Sequence, residues 1–351
     1  MATLAATAPP PPAATVDVDP EYADDAADSD STRGSIDEQL SSFTSSLSSS
    51  VTAYPIQHGR RYHAYKDGAY ILPNDEQEQD RLDVAHAMVT TLIGDRLFLA
   101  PLPEEGFAGR VLDAGCGTGI WAICMGDRYP DADVRGVDLS PIQPSWVPPN
   151  VHFEVDDIER PWAYGAARFD FVFTRYLMSS IRDWPALIAS AFSSLKPGGW
   201  AEFQDYDAVV YSDDGSFRPE HAFHQWSTTF NDAAASWGRD PSPGPKLERW
   251  AKEAGFVNVR HEVFKLPIGG WPRDKRKKEA GMFNLIQVLD GLEGFTMRLF
   301  TGYLGWKEDE VKVFVAKARE NLKDRSVHML YDYHVVYGQK PDSASQEGSR
   351  T

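Results

Sequence analysis

From residue 110 onward the apolar residues fall into short unbroken runs set apart by polar or glycine-rich links. Val111-Leu112, Val134–Val137, Val151–Val155 and Phe169–Thr174 begin the series. Runs of this length, rich in Val and Phe, predict strands buried on both faces, as in a parallel sheet covered by helices. Between them the spacing becomes helical. Ile120 and Trp121 open one helix, and Trp184–Leu195 makes another that stops at Lys196-Pro197-Gly198-Gly199, since proline and glycine break helices. Trp200–Phe203 reads as a fifth strand, and Phe256–Leu266 and Val327–Tyr337 as the last two. The pattern predicts an α/β fold, Rossmann-like, with a seven-stranded and mostly parallel sheet and helices on both faces.

The flanking segments extend this plan. Leu82, Ala85, Met88, Val89 and Leu92 keep helical spacing after Pro73-Asn74-Asp75, so Asn74 or Asp75 caps a helix expected over Glu76–Phe98. Asp205–Asp214 reads as an irregular acidic loop, followed by helices over Pro219–Trp237 and Lys246–Ala254. Two more helices are expected near Lys277–Leu289 and over Glu308–Leu322. Residues 1–53 read as a disordered acidic tail rich in Ser, Pro and Ala, and 341–351 as a disordered end. Such a composition buries too little apolar surface to offset the entropy of ordering. Residues 54–340 then form one domain with a helical cap (54–108) and two insertions (206–242 and 268–326), the second a natural lid.

Candidate chemistry centres on the end of the first strand, Asp113-Ala114-Gly115-Cys116-Gly117-Thr118-Gly119. Glycines at alternate positions let the chain turn tightly and let a ligand lie against the main chain. The second strand ends in another acid, Asp138, placed to accept hydrogen bonds from ribose hydroxyls. Two cofactors compete for this unit. A dinucleotide loop has the pattern G-x-G-x-x-G and sets a pyrophosphate at the helix N-terminus. Here the third glycine comes one residue early and Asp113 would repel a pyrophosphate. That acid suits the cationic amino-acid tail of S-adenosylmethionine, which carries no phosphate. Asp156 and Asp157 follow the third strand, where Asp157 either accepts the adenine amine or belongs to an acidic loop. Arg175 leaves the fourth strand towards the sulfonium end, and Tyr62 and Tyr70 either line the mouth or pack the cap on the sheet. His63, His221 and His224 are base candidates by context, each equally readable as structural, and no catalytic base is assigned.

Composition narrows the partners. The formal net charge of −17 gives an acidic field, a poor match for a phosphate backbone, so direct nucleic-acid binding is not expected. The one basic run, Arg273–Lys278, reads either as a nuclear-import signal or as a solvated helix start. No apolar run reaches the roughly eighteen residues of a membrane span. Cys116 and Cys124 make neither a disulfide framework nor a metal site. The opening residues lack the basic start and apolar core of a secretion signal, so a cytoplasmic or nuclear setting is expected.

Several segments resemble one family. Tyr62-His63-Ala64-Tyr65, Gly68-Ala69-Tyr70, Pro73-Asn74-Asp75-Glu76 and Asp80-Arg81-Leu82-Asp83 are similar to the N-terminal signature of the LaeA-like methyltransferases of filamentous fungi. So are the glycine loop through Trp121-Ala122, the stretch Gly136–Pro144, and Asp183-Trp184-Pro185 before Leu195–Trp200. Pro141-Ile142-Gln143-Pro144 discriminates best, because many methyltransferases share the glycine loop. The resemblance runs over about 60–205. It implies a class I methyltransferase fold, S-adenosylmethionine as cofactor, and methyl transfer in fungal secondary metabolism, with a small-molecule acceptor favoured. The family also contains nuclear regulators that act with velvet-type protein partners, which is the alternative role. The cofactor set expected from the loop, the strand ends and the resemblance together is Asp113, Gly115, Cys116, Gly117, Gly119, Asp138, Leu139, Asp156, Asp157, Ile158 and Arg175, joined by Tyr62 and Tyr70.

Overall fold

The computed structural model describes residues 14–20, 22, 54–65 and 70–342. A short hairpin of β1 (Ile56–Gln57) and β2 (Arg60–Arg61) leads to helix α1 (Glu76–Leu92). Asp75 caps that helix by accepting the Glu78 amide at 3.1 Å. The helix stops short of the expected Phe98 because Gly94 and Asp95 take left-handed φ values of 88° and 60°, which a helix cannot continue.

Seven strands then build the sheet: β3 (Arg110–Ala114), β4 (Asp133–Asp138), β5 (Val151–Val155), β6 (Phe169–Arg175), β7 (Leu195–Tyr211), β8 (Val257–Ile268) and β9 (Met329–Gln339). Their order is β5-β4-β3-β6-β7-β9-β8. Every pair from β5 across to β7 is parallel, and β9 runs antiparallel to both β7 and β8. The remaining helices are α2 (Ile120–Arg128), α3 (Trp184–Ser194), α4 (Ala222–Ser236), α5 (Leu247–Ala254), α6 (Lys275–Gly302) and α7 (Glu308–Leu322). On one face Leu112, Val172 and Ala201 meet Ile188 of α3 and Trp250 of α5. On the other, Val111, Phe171 and Phe173 meet α2, with Trp121 stacked on Phe173 at 3.9 Å between centroids. Both faces are thus covered, which is what the unbroken apolar runs require.

α4, α6 and α7 share an apolar core of their own around Trp226, Phe230, Leu292, Phe300 and Val311. Here the structure departs from the expected helix near Lys277–Leu289. α6 continues to Gly302, and Gly291 and Gly294 do not end it. They mark close approaches instead: a Cβ on Gly291 would lie 2.8 Å from Arg81 Cδ, and one on Gly294 3.2 Å from Pro73 Cγ. The expected acidic loop at Asp205–Asp214 is also corrected, since β7 runs on to Tyr211. Asp205 is 1 % exposed, but its oxygens accept the amides of Leu177 (2.8 Å) and Tyr206 (2.9 Å), so the acid is tolerated inside.

Residues 14–20 and 22 fall within the expected tail, yet they lie against the domain. Val16 is buried beside Trp271 and Leu330, Val18 bridges Pro272, and the Arg273 amide donates to the Asp17 carbonyl at 2.9 Å. The basic run opens α6, where Asp274 caps the Lys277 amide at 2.9 Å. The rest of the expected tail, and 343–351 of the expected C-terminal end, lie outside the described residues.

Candidate functional site

β3 carries Asp113 and the glycine loop to the carboxyl end of the sheet, where ligands of open α/β folds bind. The amides of Gly115 and Cys116 donate to the Val137 carbonyl at 2.8 and 3.0 Å, bending the loop over the end of β4. Asp138 then holds the loop, accepting the Gly117 amide on Oδ2 at 2.9 Å and the Ser140 amide on Oδ1 at 3.0 Å. Gln143 Nε2 reaches the carbonyls of Gly117 (2.7 Å) and Ser140 (2.9 Å) from the discriminating Pro-Ile-Gln-Pro stretch. The loop roofs a cavity of about 1270 Å³, mouth included, whose other walls are Asp156–Glu159, Arg175–Leu177 and one face of α1.

Two groups in that wall are incompletely bonded. Asp113 is 3 % exposed, and its Oδ2 has no hydrogen-bond partner among the described residues. Arg175 Nη1 is buried in the same condition, while Nη2 lies 2.9 Å from His86 Nδ1. Burial pushes the Asp113 carboxyl up to about 7; the Arg175 charge opposes this and the Asp138 charge adds to it. His86 is held down to about 3, first by burial and then by Arg175, so it is neutral at physiological pH. Its Nδ1 lone pair faces the guanidinium, which leaves the ring proton on Nε2, 3.8 Å from Cys124 Sγ. Buried polar atoms without partners are rare in folded proteins and mark the place of an absent one. An acid and a guanidinium open to one cavity suit a zwitterion, with the ammonium at Asp113 and the carboxylate at Arg175. Asp138 is half-buried, and desolvation raises its pKa against its backbone hydrogen bonds; a carboxylate at the end of the second strand suits a ribose. The residues fit S-adenosylmethionine, which when bound supplies a methyl group on a positively charged sulfur.

A second cavity lies behind Tyr176 and Ser180, which line both. Trp226 and Phe230 of α4, Gln287 and Phe295 of α6, and Tyr206 of β7 contribute to its wall. Tyr176 holds a left-handed φ of 61°, a strain more typical of functional positions than of ordinary turns. Its hydroxyl accepts from Arg81 Nη1 at 3.1 Å and donates to Gln287 Oε1 at 3.2 Å. Arg81 is buried and gripped by both oxygens of Glu78 at 2.6 and 2.9 Å.

Residues 58–261 match the model of the methyltransferase domain family. The chain is 46 % identical to methyltransferase pytC of Aspergillus terreus over 297 residues, 84 % of this chain and 91 % of that protein. It is 36 % identical to the secondary metabolism regulator laeA of Monascus pilosus over 308 residues, 86 % of this chain and 83 % of that protein. The chain belongs to the LaeA-like methyltransferases. A solved structure of phosphoethanolamine N-methyltransferase 2 from Haemonchus contortus with S-adenosylmethionine aligns over 78 % of this methyltransferase at 18 % identity and a TM-score of 0.44; the chain spans 55 % of that protein's length.

S-adenosylmethionine is the cofactor of this methyltransferase, and the dinucleotide reading falls away. Of the expected cofactor residues, Asp113, Gly115, Cys116, Gly117, Asp138, Leu139, Asp156, Asp157, Ile158, Arg175 and Tyr70 line the large cavity. Gly119 does not: it sits behind the loop, where a Cβ would lie 2.4 Å from Phe153 Cζ. Packing against Phe153 of β5 is by itself enough to require that glycine. Tyr62 is also absent from the wall, because its bridge to Pro73 places the ring under Arg298, 4.7 Å from the guanidinium carbon. The base candidates are displaced as well. His63 faces Tyr70, His221 Nδ1 accepts the Arg218 amide at 2.8 Å, His224 lies against Phe217, and none of the three lines either cavity.

Sequence reasoning missed the face of α1. Leu82, Ala85 and Val89 were legible as part of a helical stripe, yet together with His86 they look into the cavity and not only into a core. His86 within the stripe was the available signal, a polar residue at an apolar position. Cys116 and Cys124 are free thiols, and no metal-binding cluster occurs among the described residues. No helix among them is long and apolar enough to cross a membrane.

Proposed function

We propose that this methyltransferase transfers the methyl group to a small molecule of fungal secondary metabolism. The observation that carries the reading is the second cavity, walled in part by aromatic side chains and sharing Tyr176 and Ser180 with the wall of the cofactor cavity. A protein or nucleic-acid acceptor calls for an open face, whereas a small apolar molecule suits an enclosed, mostly apolar pocket with few polar groups. The 206–242 and 268–326 segments serve as the acceptor side in this reading, since α4, α6 and β7 supply most of that wall. Methyl transfer is an in-line displacement, so the protein's contribution is to align the nucleophile with the carbon–sulfur bond and to exclude water. Tyr176, fixed by Arg81 and Gln287, is placed to do the first; the α4–α6 layer is placed to do the second.

Similarity to pytC and to laeA supports a role in secondary metabolism, either on a pathway compound or, through a velvet-type partner, as a regulator. Metabolite profiles of a strain lacking the gene, complemented with wild type or Asp138→Ala, separate the two. Loss of one methyl group from one compound class, restored by wild type alone, is the expected result. Collapse of many unrelated metabolites, rescued equally by Asp138→Ala, would replace it with the regulatory role.

A further inference from the structure

Among the described residues, the wall of the second cavity holds no carboxylate or histidine to take a proton. Its titratable wall consists of Tyr176, Tyr206 and Tyr331, and burial drives all three phenols above their ordinary range. The nearby acids are already engaged. Glu78 is bound by two nitrogens of Arg81 at 2.6 and 2.9 Å, and Asp205 accepts backbone amides on both oxygens. One fully buried hydroxyl in the wall, by contrast, has no hydrogen-bond partner among the described residues. Ser179 Oγ is unbonded although the residue is 6 % exposed, and the backbone there holds a left-handed φ of 58°. Arg81, a buried cation, stands 5.3 Å from the Tyr176 ring centroid and donates to its hydroxyl.

An alcohol of ordinary acidity needs a base to become a nucleophile. A buried donor without an acceptor, in a cavity without a base, suits an oxygen that has already lost its proton. We infer, building on the reading of this cavity as the acceptor site, that the acceptor is an acidic hydroxyl compound, a phenol or enol that enters as its anion. Ser179 hydrogen-bonds the oxyanion, and the sulfonium is its counter-charge. The proton is released to bulk water before binding. The oxyanion's electron pair forms the new carbon–oxygen bond, the carbon–sulfur pair returns to sulfur, and an anion and a cation become a neutral ether and a neutral thioether. A thioether nucleophile would also need no base, but it would leave the Ser179 hydroxyl unbonded and gain nothing from the positive sulfur.

The test is an equilibrium one. Affinity for 4-nitro-1-naphthol, whose anion absorbs in the visible, is measured beside sinefungin, which carries an amine at the sulfonium position, and beside S-adenosylhomocysteine, which is neutral there. Binding as the anion, about tenfold tighter beside sinefungin, is expected from charge attraction in a water-poor site. The methyl ether of the naphthol shows no such difference. Ala208→Phe and Ser227→Leu, which fill the cavity from β7 and α4, abolish naphthol binding and leave S-adenosylhomocysteine affinity intact. Equal naphthol affinity beside the two ligands, or uptake of the neutral form, overturns the anionic acceptor while keeping the cavity. No naphthol binding beside either ligand, or binding that both filled variants retain, removes the cavity as acceptor site and the inference with it.

Discussion

Thr118 donates its hydroxyl to Asp83 Oδ1 at 2.7 Å, tying the glycine loop to helix α1. The cap is thereby fastened to the part of the loop that faces the cofactor cavity. Partial desolvation raises the Asp83 pKa while the Thr118 hydrogen bond pulls it back. Thr118→Val and Asp83→Ala should each cost about 1 kcal/mol in cofactor affinity, the usual net worth of such a bond. The double variant should cost little more than either alone, because both remove one interaction. Calorimetry with S-adenosylhomocysteine on all four proteins checks this; additive losses would show that the two residues act separately.

The Asp113 carboxyl, at about 7 in the cavity, makes cofactor binding depend on pH. If Asp113 pairs with the ammonium of the methionine tail, the acid must be ionised, so binding should be strongest above pH 7 and weaken as pH falls through that value. The expected fall is about tenfold per pH unit below it, with a proton released on binding. Calorimetry in buffers of different ionisation enthalpy measures that proton directly. Asp113→Asn should bind weakly at pH 8 and show a flat profile between pH 5.5 and 8. A wild-type affinity independent of pH across this range would dissociate Asp113 from the ammonium.

Much of this site was readable in the chain because its signals are local. The strand, the glycine loop and the acid that ends the next strand lie within Arg110–Asp138, and each carries its own backbone requirement. Where the reading failed, a distant segment decided the outcome. Gly119 looked like a ligand glycine but answers to Phe153 on β5. Gly291 and Gly294 lie past the expected helix end at Leu289, where a Cβ on the first would crowd Phe295 and Arg81 and one on the second Pro73. Asp205 looked like loop because its acid is polar, and the Leu177 and Tyr206 amides made it fit a buried strand. Periodicity reports how a residue relates to its neighbours in sequence; these positions are set by neighbours in space.

Arg175 separates the two halves of the cofactor. If Nη1 takes the methionine carboxylate, Arg175→Met should weaken S-adenosylhomocysteine by roughly tenfold or more, as for a lost charged hydrogen bond. 5′-Methylthioadenosine carries the same adenosine and sulfur without the amino-acid tail, so its affinity should change by less than about twofold by the same arithmetic. The loss of the arginine's charge should also push the Asp113 carboxyl further up and move the pH profile of binding to higher pH. Equal losses for both ligands would place Arg175 in general packing and not at the carboxylate.

Gly119 supplies the sharpest contrast with a loop whose glycines all serve the ligand. Its φ of 79° is strained for any side chain, and a Cβ would meet the Phe153 ring at 2.4 and 2.6 Å. Gly119→Ala should therefore lower stability by about 2 kcal/mol or more, part from the left-handed backbone and part from the ring contact. Phe153→Leu in the same protein should recover the ring's share and leave the backbone's, which thermal melts of these two variants and the wild type resolve. Because Gly119 stands behind the cavity wall, the folded fraction of Gly119→Ala should keep its S-adenosylhomocysteine affinity within about twofold. A variant that melts like wild type but no longer binds would return Gly119 to the cofactor's side of the loop.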